Sequence, residues 1–284
     1  STEVLVVGAG LAGLEAAASA AEQGAQVTLV ESDPWAGGWA ATAGAGTSQL
    51  AEKMRMRVSS LVERATKAGA TLRLGTTVFG LYDHGLAVAV EPGNGVVRER
   101  TIKIRAGRTI LATGAFDRPL LFPDNDRPGV MFAHGAERYA AHYGAAVGRR
   151  IVVATACDAG VELADRLRGW GLDVVETLDL RKGDHVVGVR GRTGVSGVVT
   201  ASTREPNPRV IEADTLLHTG GFTPNVSLHS QAGGGLRWDE EASMFVPSRP
   251  ARAVEVVGAC AGVFDLDATL EHAREVGLGR AGPA

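Results

Sequence analysis

VLVVGAGLAGLEAAASAAEQGAQVTLVE, residues 4–31, decides the fold. It opens on VLVV, a short β-branched run of the kind that forms a buried parallel strand. Three glycines follow, Gly8, Gly10 and Gly13, spaced G-x-G-x-x-G. The Ala-rich LEAAASAAEQG favours a helix, and Gly24 suits its C-terminal cap. AQVTLVE is then a second strand, which completes a βαβ unit.

Each glycine has a mechanical duty. Gly8 permits the tight turn, Gly10 lets the backbone approach a pyrophosphate, and Gly13 lets the helix pack on the strand. The helix N-terminus offers free N–H groups and the positive end of its dipole to phosphates. Glu31 ends the second strand, about 20 residues past the glycines, where a carboxylate accepts hydrogen bonds from ribose hydroxyls. It repels a 2′-phosphate, so NAD or FAD is favoured over NADP. Gly37-Gly38 follows closely. A glycine pair in this place resembles the two-dinucleotide-domain flavoproteins, where it helps to enclose the pyrophosphate.

Composition narrows the field. The chain has 284 residues, 45% of them apolar, and a net charge of −3 with the signs mixed. Nucleic acid and anionic membrane are therefore not expected partners. No apolar run reaches the roughly 18 residues of a membrane span, and the first apolar run reads as a strand rather than a signal peptide. Cys157 and Cys260 form no C-x-x-C pair, so a redox dithiol is not expected. No Cys/His spacing suits a metal. A reducing, cytoplasmic setting fits this usage.

Further along, residues 47–68 carry helical spacing in Leu50, Met54, Val58, Leu61, Val62 and Ala65. TLRLGTTVFGLYD, LAVAVEP and RTIKIRAGRTILATG read as strands. The last runs into Gly114, the crossing point between domains in that superfamily, close to the bound dinucleotide. Residues 151–176 repeat the βαβ logic, with a strand, a helix over about 159–169, Gly171, a strand at 173–175 and Glu176 as its acid. The second turn, ATACDAG at 154–160, keeps only the last of the three glycines, Gly160. Threonine and alanine side chains there crowd a pyrophosphate, so this site is expected to be empty or repurposed. Cys157 reads as a small buried residue. A hairpin is expected over 185–202, strands at ADTLLHTGG and AVEVVGACAG, and a closing helix in DLDATLEHAREVGL.

The expected fold is α/β, two Rossmann-like βαβ domains with the second inserted in the first. The domains span 1–117 with 221–284, and 118–220. Candidate acid–base or anion-holding groups are His84, His134, His142, Tyr82, Tyr143 and Arg127. Structural duties fit them better, and no catalytic residue is named.

Several stretches together, TTVFGLYDH, LATGAFDRPLLFPDNDRPGVM, GGFTPNVSLHSQAGGGLRWDE and FVP before VVGACAGVF, resemble the α subunit of heterotetrameric sarcosine oxidase. They also resemble related amine- and imino-acid-oxidising complexes, such as dye-linked proline dehydrogenases and hydrogen cyanide synthase. The resemblance implies a glutathione-reductase-like fold and a place in a complex. There the α subunit carries NAD in the first glycine site, a second subunit carries FAD, and FMN lies between them. It implies a small amine or imino acid as substrate, and Gly8, Gly10, Gly13, Glu31, Gly37, Gly38 and Gly114 as dinucleotide contacts. FAD-binding members carry a Gly-Asp pair after the last strand. Here that place reads Gly258-Ala259-Cys260, which favours NAD over FAD. The family's N-terminal extension and long C-terminal region have no counterpart in this sequence. Two other functions fit the residues: a self-contained FAD-dependent oxidoreductase, and a non-catalytic protein that keeps a structural nucleotide.

Overall fold

The computed structural model describes residues 1–93, 95–249, 251 and 253–280. The chain divides into two compact units, Ser1–Phe116 with Thr223–Ala284, and Asp117–Phe222. In chain order the first unit holds β1 (Thr2–Val7), α1 (Leu11–Glu22), β2 (Val27–Val30), α2 (Trp39–Ala43), α3 (Gln49–Lys67), β3 (Thr71–Arg73), β4 (Thr77–Tyr82), β5 (Leu86–Pro92) and β6 (Glu99–Leu111), and β7 (Ala115–Asp117) leads out of it. The second unit holds β8 (Val130–Phe132), α4 (Ala133–Tyr143), β9 (Ile151–Thr155), α5 (Asp158–Gly169), β10 (Val174–Asp179), β11 (Asp184–Arg190), β12 (Gly197–Ser202), β13 (Arg209–Ile211) and β14 (Thr215–Thr219). β15 (Phe222–Pro224) leads back to the first unit, which closes with α6 (Ser227–Gln231), β16 (Gly235–Asp239), β17 (Met244–Arg249), β18 (Val254–Val256) and α7 (Leu266–Gly277).

In the first unit β3, β2, β1, β6 and β18 lie side by side and parallel. Alternation along β1 assigns its faces. Val4 and Val6 pack under α1, α3 and α7, whereas Leu5 and Val7 join a second core with Val78, Ala87, Ala89 and Ile104 of the antiparallel β4–β5–β6 ribbon. β6 serves both layers, because its first half pairs with β5 and its second half with β1 and β18. Nearly every residue of α1 is buried. Its alanines answer to space as well as propensity: a Cβ on Gly277 of α7 would sit 2.6 Å from the Ala16 carbonyl oxygen. Leu50 of α3, counted above in the apolar stripe, is exposed, since it lies in the first turn before the helix meets α1.

The second unit repeats this plan. Its parallel sheet runs β10-β9-β14-β8. Helices α4 and α5 cover one face, and the antiparallel β11-β12-β13 sheet covers the other. The α/β class with two Rossmann-like units is thus observed. One detail is corrected. Glu176 does not end the second strand; it lies inside β10 opposite Val152 and pairs with Arg209 on the surface. A bulge between Val174 and Glu176 and three further residues carry β10 on to Asp179. Among the described residues no helix is long and apolar enough to cross a membrane.

His218 of β14 is buried against the rings of Phe122 and Phe132, and its Nδ1 accepts the Leu120 N–H at 3.2 Å. Burial pushes this imidazole below its ordinary value of 6.5, and Asp117 only partly offsets the effect. The unfolded chain therefore takes a proton before the folded chain does. Stability is fully present above about pH 6.5 and declines as pH falls below it. Half-buried His272 adds a decline of the same sign. The unfolding midpoint, followed from pH 7.5 to 5, is expected to drop below pH 6.5, and to drop less steeply in His218→Leu.

Candidate dinucleotide site

The site is built at the C-terminal edge of the first parallel sheet, where β1 turns into α1. The Gly8 N–H donates to Val30 O at 2.8 Å, and Gly8 has φ +102°. A Cβ there would meet Ala112 O at 2.3 Å, and one on Gly13 would meet Gly8 O at 1.8 Å. These two glycines are required by the chain's own backbone. Gly10 is different. Its φ of −67° suits any residue, and a Cβ on it would find nothing within 4 Å. No neighbour in the protein explains this glycine; the open space above it does. Gly10 also caps α1 without a side-chain hydrogen bond, and the first turn carries no acid. The orphan N–H groups of that turn are thus left for an anion.

Glu31 is fixed against this loop. Its Oε2 accepts the Ala9 N–H at 2.6 Å, and its Oε1 accepts the Asp33 N–H at 2.9 Å and the Ser32 hydroxyl at 3.0 Å. The second glycine pair closes on the first motif. Gly37 N–H donates to Ala9 O at 2.7 Å, Gly37 pairs with Gly10 in a parallel bridge, and a Cβ on Gly38 would lie 3.2 Å from Gly10 Cα. Gly114, at φ +72°, faces open space and accepts the Asn225 N–H at 2.9 Å. The structure thus gathers Gly8, Gly10, Gly13, Glu31, Gly37 and Gly38 around one loop.

Sequence reasoning missed a knot beside Gly114. Thr113 Oγ1 donates to Asn225 O at 2.7 Å, and the Cys260 thiol donates to the same oxygen at 3.2 Å. Burial pushes the Cys260 thiol up, so it acts as a weak donor rather than a nucleophile. Three sequence-distant loops meet there, a coincidence that no local spacing announces.

The turn after β9 departs from the first loop at two of its three glycines. Thr155 stands where β1 runs into Gly8, and its hydroxyl takes the Cys157 N–H at 3.1 Å. Gly160 keeps Gly13's duty, because a Cβ there would meet Thr155 Oγ1 at 2.1 Å. Cys157 is partly exposed, not buried as expected, since it caps α5 at the sheet edge. Asp158 puts a carboxylate into the first turn of α5, and Arg181 bridges it (2.7 Å) to Asp179 (2.9 Å). Asp179 pairs with Thr155 and so occupies Glu31's place, but its charge is already taken by Arg181, which holds it below the usual carboxylate range.

The acid–base candidates have other duties. Tyr82 and His84 are exposed at the β4–β5 turn, with His84 at φ +60°. Arg127 ties its own turn to the Gly191 carbonyl and to Asp124. His142 and Tyr143 lie in the last turn of α4. His134 Nδ1 meets Asp117 Oδ1 at 2.6 Å, and Asp117 also accepts the Thr219 hydroxyl at 2.9 Å. Among the described residues no group of three or more His, Cys, Asp or Glu could hold a metal.

Residues 2–181 match the family model described as pyridine nucleotide-disulphide oxidoreductase. The chain belongs to that family. Within the pyridine nucleotide-disulphide oxidoreductases it is 37% identical over 313 residues to sarcosine oxidase subunit alpha of Corynebacterium sp. (strain P-1). That match covers 99% of this chain and 32% of the relative, so the chain spans about a third of the relative's length. Among solved structures it resembles L-proline dehydrogenase from P. horikoshii, with TM-score 0.81 and 27% identity over 97% of this chain and 54% of that one. Thioredoxin reductase of T. acidophilum, at TM-score 0.61 and 17% identity over 98% of this chain and 96% of that one, shares the fold. The resemblance carried by the loops is therefore observed over the whole chain. The chain is thus a member of a dinucleotide-binding oxidoreductase family and is similar over nearly its whole length to part of sarcosine oxidase subunit alpha, and FAD or NAD is the family's cofactor class.

Proposed function

We propose that this chain holds NAD in the Gly8–Gly13 cradle, as the dinucleotide-bearing component of an enzyme that oxidises a small amine or imino acid. One observation carries the dinucleotide assignment: Gly10 opens on free space at a helix N-terminus that has no side-chain cap, with Glu31 fixed next to it. NAD is chosen over FAD because Gly258-Ala259-Cys260 offers no carboxylate for a ribityl chain, and over NADP because Glu31 repels a 2′-phosphate. When bound, NAD supplies a site for hydride transfer. The chain's own residues would bind and orient it: the α1 amides face the pyrophosphate, Glu31 takes the ribose hydroxyls, and Gly37, Gly38 and Gly114 allow the backbone close to it.

Partners follow from the relatives. They are named as subunits, so a second, flavin-bearing polypeptide is proposed to oxidise the amine, with FMN at the interface between the two. The second unit, its nucleotide turn filled by its own charges, would not supply a second dinucleotide.

The test is direct. The purified chain is denatured, and the released nucleotide is identified by absorbance and mass. NAD is expected, in a colourless protein, and the emptied site is expected to prefer NAD over NADP by at least about a hundredfold, as like-charge rejection in a binding site gives. A yellow protein releasing FAD would overturn the choice of NAD. A chain that binds no adenine dinucleotide would overturn the assignment altogether.

A further inference from the structure

Gly114 is clasped by one residue, Asn225. The Asn225 N–H donates to Gly114 O at 2.9 Å, and its Nδ2 donates to Thr113 O at 3.5 Å. The Asn225 carbonyl is fixed in return, by the Thr113 hydroxyl at 2.7 Å and the Cys260 thiol at 3.2 Å. A trans peptide carries its C=O and N–H on opposite sides. With the Thr113 carbonyl turned to the Asn225 side-chain amide, the Gly114 N–H points away from that amide. No described residue accepts this N–H. Both ends of the clasp rest on the glycine loop. Ala112, just before Thr113, lies against Gly8, where an added Cβ would stand 2.3 Å from Ala112 O and 3.4 Å from Thr113 N. Cys260 belongs to the turn Gly258–Ala261, and a Cβ on Gly258 would meet the Cβ of Ala12, in the first turn of α1, at 2.7 Å. Gly114 thus lies two residues past a direct contact of Gly8, and an added Cβ on it would find nothing within 4 Å.

We propose that Thr113 and Cys260 are positioning residues for dinucleotide binding: through the Asn225 peptide they hold the Gly114 backbone so that its N–H donates to the bound dinucleotide. The proposal rests on the dinucleotide reading of the glycine cradle. It gives the buried thiol and the hydroxyl a duty toward the ligand, although neither touches it.

The experiment titrates NAD into the full chain after its own nucleotide is removed, and follows the Gly114 amide by NMR beside calorimetry. In the wild type, NAD is expected to move the Gly114 amide proton downfield and to slow its exchange with solvent. Thr113→Val keeps the shape of the side chain without its hydroxyl. It is expected to weaken NAD about three- to tenfold, the scale of one buried hydrogen bond, and to diminish both amide changes. Thr113→Ser returns the hydroxyl and is expected to restore them. Cys260→Ala removes a weaker donor and is expected to cost about twofold. FAD replaces NAD in the same design if FAD is what the chain releases. A clasp that serves the fold alone would lower the unfolding temperature of Thr113→Val but leave its NAD affinity and its Gly114 response as in the wild type; that result would overturn the proposal. So would a wild-type Gly114 amide that bound NAD neither moves nor protects, a readout that stands even if the variants fold poorly. Wild-type chain that binds neither NAD nor FAD would overturn the dinucleotide reading as well.

Discussion

Gly10→Val is expected to leave the fold intact and to remove nucleotide binding. The backbone at residue 10 is extended, and an added Cβ has no protein atom within 4 Å. A Cβ that points into open space adds little strain, and exchanging an N-cap glycine for an apolar residue costs about 1 kcal/mol. The same side chain fills the place that a pyrophosphate must take, and the affinity is expected to fall at least about a hundredfold, the loss of about 3 kcal/mol of charge-assisted hydrogen bonding. Gly13→Ala is the contrast. Its Cβ meets the Gly8 carbonyl oxygen at 1.8 Å, so α1 must move off β1, and about 1–3 kcal/mol of overpacking strain is expected whether or not nucleotide is present. Thermal unfolding and calorimetric titration of both variants separate the two duties. Equal destabilisation by Gly10→Val and Gly13→Ala would refute the distinction.

The largest stability effect is expected in the second unit, at Arg166→Met. Glu137 of α4 is fully buried, and its Oε1 accepts from Arg166 Nε at 2.5 Å. The arginine is itself almost covered, at 11% side-chain exposure. Removing it strands a carboxylate in the core, for which about 3–5 kcal/mol is the usual cost. The double variant Glu137→Leu/Arg166→Met removes both charges and is expected to recover most of that loss, because a buried pair is worth little against apolar residues of similar size. Urea unfolding of the two single variants and the double closes the cycle. A double variant as unstable as Arg166→Met would show that packing, not the stranded charge, sets the cost.

Much of this molecule is legible in its sequence, and the parts that are not have physical causes. The first βαβ unit is local: strand, glycines, helix, strand and acid follow one another within 31 residues, and each constraint acts on near neighbours. Glu31 and Gly37-Gly38 could be placed for the same reason. The acid of the second unit could not, because a β-bulge extends β10 and moves the strand end from Glu176 to Asp179. The single turn of α2 is too short for a periodic signal. The Thr113–Asn225–Cys260 knot and the Asp117–His134 pair join residues far apart in the chain. Tertiary packing alone brings them together.

The turn after β9 bears on how such modules are copied and reused. Gly160 remains although the other two glycines do not, because a Cβ there would meet the Thr155 side chain and push the helix off its strand. The positions of Gly8 and Gly10 carry Thr155 and Cys157 here, whose mutual hydrogen bond ties the loop to itself. A glycine fingerprint is thus two signatures superimposed, one architectural and one chemical, and they can part company. A βαβ module designed without a ligand should keep the third glycine and is free to spend the first two on a self-bonded turn.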